Sequence, residues 1–198
     1  MTHFPKNPFC RHCRACIARR KQCRRGPGGL GNKEELKQFG DCVTLDHIVS
    51  RGDLSEGIKK EQDAVFMLDR HTDGMYCVPT RDKSAELAYD GLRDWREQTY
   101  LKRVHTDGSA ESKQAVAWFG FHHTTSTPGR PQRNGVIENR VNFIEWHASA
   151  LGKQAGLLAR AWSWSCPYFC DSWTITIRDD GESSYFKRFK DCLLYTSD

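Results

Sequence analysis

The sequence predicts an α/β domain, a mixed five-stranded sheet flanked by helices, with its elements in the order β-β-β-α-β-α-β-α. Two patterns carry this. Apolar runs of strand length closed by turn residues fill the first part of the domain, and segments of helical period then alternate with further strands. Length sets the scale: 198 residues bury one good core, or one core and a small metal-held appendage, rather than two full domains.

The domain begins near Phe39. "CVTLDHIV" reads as a first strand, "AVFMLDR" as a second and "GMYCVPT" as a third. The tetrapeptide HTDG stands between the second and third, where Asp73-Gly74 supplies the positive backbone angles of a tight hairpin. "DKSAELAYDGLRDWREQ" follows, with Ala85, Leu87, Ala88, Leu92 and Trp95 at helical spacing. It feeds "TYLKRVHTD", a weakly alternating fourth strand that ends in the second HTDG. A strand reached through a crossover helix presents its tip to a crevice, and ligands gather at the carboxyl ends of such strands. "ESKQAVAWFG" is a short helix and "FHHTTS" a fifth strand, beside which one of His122 and His123 is expected to point inward. "TPGRPQRNG" is a loop, and "VIENRVNFIEWHASAL" is a helix with Val136, Val141, Ile144 and Leu151 on one face. The aromatic stretch "LLARAWSWSCPYFCDSW" has Trp162, Phe169 and Trp173 at helical spacing, so packing on the sheet is favoured over a platform for bases.

Ahead of the domain, Cys10 to Arg25 holds Arg11, Arg14, Arg19, Arg20, Lys21, Arg24 and Arg25 with no acid among them, within a net charge of +5. That arm suits a phosphate backbone. "RRGPGGLGN" reads as a linker. The expected divisions are a basic arm over 1–25, a linker over 26–38, a core over 39–175 and an extension over 176–198. No apolar run approaches the roughly 18–20 residues of a membrane span, and the first residues lack the apolar centre of a signal peptide. An intracellular, reducing setting follows as the expectation. In it the nine cysteines are read as metal ligands before disulfides.

Three acids stand out by position. Asp46 lies inside an apolar strand, where a buried unpaired carboxylate is expensive. Asp107 ends the fourth strand, and Glu138 opens a helix after a Gly/Pro loop. Each alone has an ordinary reading, as a satisfied core acid, a turn residue or a favourable charge at a helix start. Together, from two strands and a helix, they can hold two Mg²⁺ (or Mn²⁺) ions, which bind hard oxygen ligands and promote in-line attack on a phosphodiester.

"LDHIV" at 45–49, "VHTDGSAE" at 104–111 and above all "HHTTSTPGRPQRNGVIENRV" at 122–141 resemble the catalytic core of retrotransposon and retroviral integrases, the D,D,E group of the RNase H-like superfamily, and most of all the copia-type branch. Thr127-Pro128, Pro131-Gln132, Asn134-Gly135 and Glu138 stand in that family's order. The resemblance implies that Asp46, Asp107 and Glu138 are catalytic, metal-binding acids, and that Asp69 matches a polar, non-catalytic residue ending the second strand. Arg130, Gln132, Arg133 and Asn134 of the loop are then candidates for DNA contact. The spacing of 30 residues between Asp107 and Glu138 is shorter than in the best-known members, and the loss is expected in the helix "ESKQAVAWFG".

Such integrases carry a His/Cys zinc module ahead of the core, and "THFPKNPFCRHC" resembles its second half. Cys10 and Cys13 have C-x-x-C spacing, and His3 is a third candidate ligand for Zn²⁺. The fourth ligand is expected upstream of this chain, with His12, Cys16 or Cys23 as substitutes. The end "CLLYTSD" resembles nothing in the family and reads as non-native sequence. The function implied is DNA strand transfer for a retroelement. DNA is the partner, a homo-oligomer the working form, no membrane is involved, and the nucleus is the place of action in a eukaryotic host. The alternatives are an inert nucleic-acid-binding fragment and an RNase H-like nuclease that only cleaves. In this reading the two HTDG copies differ: Asp107 is a ligand, and Asp73, turning a hairpin, is dispensable for activity.

Overall fold

The computed structural model describes residues 7–16, 35–49, 56–125 and 135–191. Arg130, Gln132, Arg133, Asn134 and His3 lie outside them. The elements are α1 (Arg11–Cys16), β1 (Val43–Val49), β2 (Asp63–Asp69), β3 (Met75–Thr80), α2 (Ala85–Arg96), β4 (Arg103–Thr106), α3 (Ala110–Phe119), β5 (His122–Thr125), α4 (Gly135–Gln154), α5 (Trp162–Ile175) and α6 (Ser184–Phe189). The expected order is the observed one.

The five strands form one mixed sheet in the order β3-β2-β1-β4-β5. β1 is antiparallel to β2, and β2 to β3. β1 is parallel to β4, and β4 to β5. Central β1 therefore separates a hairpin half from a crossover half. The period-two alternation of the strands sorts apolar residues onto the two faces. Val43, Leu45, Val65, Met67 and Val104 pack with Ala88, Leu92, Trp95, Ala115 and Val116 of α2 and α3. Ile48, Ala64, Phe66 and Leu68 pack on the opposite face with Ile137, Ile144 and Ala148 of α4 and with Cys166, Phe169, Cys170 and Trp173 of α5. Because successive strand side chains alternate, Asp46 falls on the α4 face with its register partner Phe66.

Local chemistry sets the helix ends. The Ser84 side chain accepts from Leu87 N at 3.4 Å to start α2, and Ser109 does the same for Ser112 N at 3.4 Å to start α3. Gly120 closes α3 in the left-handed region, φ 68°. β4 is shorter than the expected segment from Thr99 onward. The Lys102 N–H bonds to Gly40 O at 2.8 Å rather than joining a ladder, and Leu101 is fully buried beneath that crossing. On α4 the buried residues are Ile137, Ile144, His147, Ala148 and Ala150, with Val141 and Leu151 partly buried against the core; the side chain of Val136 lies outside the described residues. The aromatic stretch is α5, which buries Phe169 and Trp173 against the sheet while Trp164 and Tyr168 stay exposed. Beyond it, residues 176–191 return to the core, where Arg188 donates to Trp95 O at 2.8 Å and its guanidinium lies 3.9 Å from the Phe39 ring centroid. α1 packs against α4 with Cys13 buried. Among the described residues no helix is long and apolar enough to cross a membrane.

One buried carboxylate locks the hairpin half. Asp69 is fully buried and accepts from Gly40 N at 2.9 Å, Thr72 N at 2.8 Å, Thr72 Oγ at 2.8 Å and His71 N at 3.1 Å. It thereby joins the chain leading into β1 to the β2–β3 turn. Asp69→Ala leaves these donors without an acceptor and is expected to cost at least about 3 kcal/mol in urea unfolding; a loss below about 1 kcal/mol contradicts the role.

Candidate active site

The site grows from the β1–β4 pairing. Val43, Thr44 and Leu45 stand opposite Val104, His105 and Thr106 in parallel register. The next residues are Asp46 and Asp107, which the register puts on the same face, toward α4. Their nearness is electrostatic as well as topological. Burial raises the Asp46 carboxyl above its ordinary range, the backbone N–H of His47 opposes this, and the charge of Asp107 raises it further. The charge of Lys83, from the chain between β3 and α2, acts on Asp46 in the lowering direction. Lys83 carries no signature in the sequence by which it would have been singled out.

Each aspartate is aimed by the backbone beside it. Asp46 Oδ1 accepts from His47 N at 2.8 Å, and Asp107 Oδ1 accepts from Ser109 N at 2.9 Å. Among the described residues neither carboxylate has an ion-pair partner. His47 is buried and held by Asp63, Nδ1 to Oδ1 at 2.6 Å, which fixes the strand next to Asp46. On the far side of the pair, His123 Nε2 and Thr106 Oγ lie 2.9 Å apart, so His123 is the histidine engaged with the sheet, and His122 is exposed.

The two HTDG copies share one device and differ in another. In both, the threonine is fully buried and its hydroxyl accepts from the glycine N–H two residues on, at 3.2 Å for Gly74 N to Thr72 and 3.1 Å for Gly108 N to Thr106. In the first copy the left-handed residue is Asp73, φ 58°; in the second it is Gly108, φ 89°. Asp107 is thus left exposed at the strand tip. Asp73 is not only a turn residue, because Arg140 and Arg178 both pair with its carboxylate, Arg140 Nη2 to Oδ1 at 2.7 Å and Arg178 Nη1 to Oδ2 at 2.8 Å. The hairpin reading accounts for its backbone and missed its side chain, whose partners lie far away in sequence.

Glu138 sits in the first turn of α4, as expected, and is exposed. No group of three His, Cys, Asp or Glu side chains able to hold a metal occurs among the described residues. The β1–β4 register and the charge of Asp107 acting on Asp46 bring those two acids together, and Glu138 lies on the helix that packs on the same face. The pair itself fits a divalent cation. Two hard oxygen donors repel one another, one of them is desolvated, and among the described residues no cation is ion-paired to either, Lys83 acting on Asp46 only through its charge; a bound Mg²⁺ or Mn²⁺ would relieve each of these penalties. Cys10 and Cys13 lie together at the start of α1, where the Cys13 backbone N–H leads in lowering the Cys10 thiol. No third ligand joins them among the described residues.

No protein-family model and no curated protein matches the chain. Solved structures do. The catalytic core domain of HTLV-2 integrase, in complex with magnesium and in a trimeric form, is similar with a TM-score of 0.56 and 9% identity, over 76% of this chain and 97% of that one. Identity that low establishes shared architecture alone: the mixed five-stranded sheet flanked by helices is the α/β fold of that integrase core.

Because the folded-state carboxyl of Asp46 is raised, its contribution to stability is present at low pH and lost as pH rises through that value. Asp46→Asn keeps the acceptor for His47 N and removes the charge. It is expected to melt higher than the unsubstituted protein at pH 7 without divalent cations, with the difference shrinking below about pH 4. Thermal unfolding at the two pH values checks this, and a lower melting temperature at pH 7 contradicts it.

Proposed function

We propose that the chain is an integrase-type polynucleotidyl transferase, of the copia-like D,D,E kind, that joins retroelement DNA ends to target DNA. The observation that carries this is the Asp46–Asp107 pair on the adjacent parallel strands β1 and β4, with Glu138 in the first turn of the helix over the same face. The integrase-core architecture supports it.

In this reading Asp46, Asp107 and Glu138 hold Mg²⁺ or Mn²⁺, which when bound activates the attacking oxygen and stabilises the leaving one. The chain supplies the rest. β1 and β4 fix two carboxylates at one sheet position, so that charge is organised before DNA arrives. A terminal 3′-hydroxyl attacks a backbone phosphorus in line; the new O–P bond forms as the target's P–O3′ bond breaks, and the proton passes from the attacking to the departing oxygen. Arg130, Gln132, Arg133 and Asn134 are assigned to the DNA backbone and bases beside the site. Zn²⁺ at His3, Cys10 and Cys13 is the second proposed cofactor, on the resemblance of the arm. DNA and further copies of the chain are the proposed partners, acting in the nucleus in a eukaryotic host. The likeness to a protein described in trimeric form accords with assembly.

A second reading has its own observation. Glu138 stands outside any three-residue metal group among the described residues, which is what a DNA-binding fold without turnover would show. Joining of a branched oligonucleotide in Mn²⁺ or Mg²⁺, the reaction least demanding of flanking modules, separates the two. Transferase function predicts product that falls by on the order of a thousandfold or more in Asp107→Asn and in Glu138→Gln, given several kcal/mol of metal-held charge in the transition state. A folded protein that joins nothing, or joins equally well without Asp107, contradicts it.

A further inference from the structure

Asp73 gathers groups from three separate parts of the fold. Arg140 reaches it from α4, with Nη2 2.7 Å from Oδ1 and 2.8 Å from Oδ2. Arg178 reaches it from the segment after α5, with Nη1 2.8 Å from Oδ2, and also donates to Thr72 O at 3.0 Å and to Ser184 Oγ. From α5, Trp173 Nε1 donates to the Asp73 backbone oxygen at 3.0 Å. The two guanidinium groups lie 5.7 Å (Arg140) and 5.2 Å (Arg178) from the Trp173 ring. Arg140 lies 5.5 Å from the Phe143 ring as well. The side chains of Asp73, Arg140 and Arg178 are 26%, 30% and 12% exposed, so the cluster is shielded enough for geometry to be held.

We infer that Asp73 is a positioning residue for the proposed site: through Arg140 it sets the rotation of α4, and with it where Glu138 stands relative to Asp46 and Asp107. This rests on the transferase reading of those three acids. Arg140 follows Glu138 by two residues in one helix, and residues two apart point about 200° away from each other. A guanidinium pinned to the β2–β3 turn on one side therefore fixes the azimuth of the carboxylate on the other. A rotation of ~20° moves a side chain by roughly 2 Å at a helix radius of ~5–6 Å, and misplacement of about 1 Å can cost on the order of a hundredfold in rate. The apolar contacts of Ile137, Ile144 and Ala148 hold α4 to the sheet but are non-directional. The Asp73–Arg140 pair is directional.

The substitutions separate positioning from folding. Asp73→Asn keeps a residue that tolerates φ 58° and removes the charge, Arg140→Gln removes the partner on α4, and Arg178→Gln removes the partner outside it. Mn²⁺ binding to the full chain without DNA, followed by electron paramagnetic resonance, is measured together with kcat and KM for branched-DNA joining. Glu138→Gln is expected to weaken Mn²⁺ binding. Asp73→Asn and Arg140→Gln are each expected to weaken it about tenfold and to lower kcat by about 10–100-fold at unchanged KM, with the double variant no worse than either single one. Arg178→Gln is expected to lower the melting temperature while Mn²⁺ affinity and kcat stay within about twofold. Additive effects of Asp73→Asn and Arg140→Gln, or equal loss in Arg178→Gln, overturn the proposal, as does Mn²⁺ binding that Glu138→Gln leaves unchanged. An unsubstituted chain that binds Mn²⁺ but joins no DNA overturns the transferase reading alone, and the Mn²⁺ cycle still decides the positioning; one that binds no Mn²⁺ overturns both.

Discussion

Parallel pairing of β1 with β4 places two carboxylates on one face of the sheet, Asp46 one step beyond Leu45 and Asp107 one step beyond Thr106. Folding into this register forces like charges together and takes one of them partly out of water, with no arginine or lysine paired to either among the described residues. Everything else around the site accommodates that penalty. The buried His47–Asp63 contact steadies the strand beside Asp46, and the apolar packing of both faces supplies the stability that the pair withholds. A domain that retains such a pair at a strand tip is organised around what the pair can bind.

A tetrapeptide used twice shows how one local device serves two ends. The Thr–Gly bond is common to both copies, so both turns close in the same way. What differs is which residue takes the left-handed conformation and what surrounds the aspartate. At Gly108 the positive angle falls on glycine at little cost, and Asp107 faces solvent. At Asp73 the aspartate itself takes it, and its side chain meets two arginines.

The order of elements and the sheet's two halves were legible because period and turn chemistry agree: "CVTLDHIV", "AVFMLDR" and "GMYCVPT" alternate or run apolar, and Ser84 and Gly120 punctuate α2 and α3 where the patterns change. Asp46 was legible as an acid in an apolar run, and Asp107 as an acid at a strand tip. The early start expected for β4 failed because the Lys102 N–H is taken by Gly40, a contact distant in sequence. Lys83, Arg140 and Arg178 were invisible for the same reason. An arginine on a helix surface reads as solvated until the fold supplies its carboxylate, and here that carboxylate is 67 residues from Arg140 and 105 from Arg178.

The central claim is that Asp46 and Asp107 hold a divalent cation. A crystal of the chain soaked in Mn²⁺, with anomalous scattering recorded at the manganese edge, tests it most directly. The account predicts an anomalous peak within coordination distance of oxygens from both Asp46 and Asp107. A crystal in which manganese occupies other sites and leaves these two carboxylates bare contradicts it.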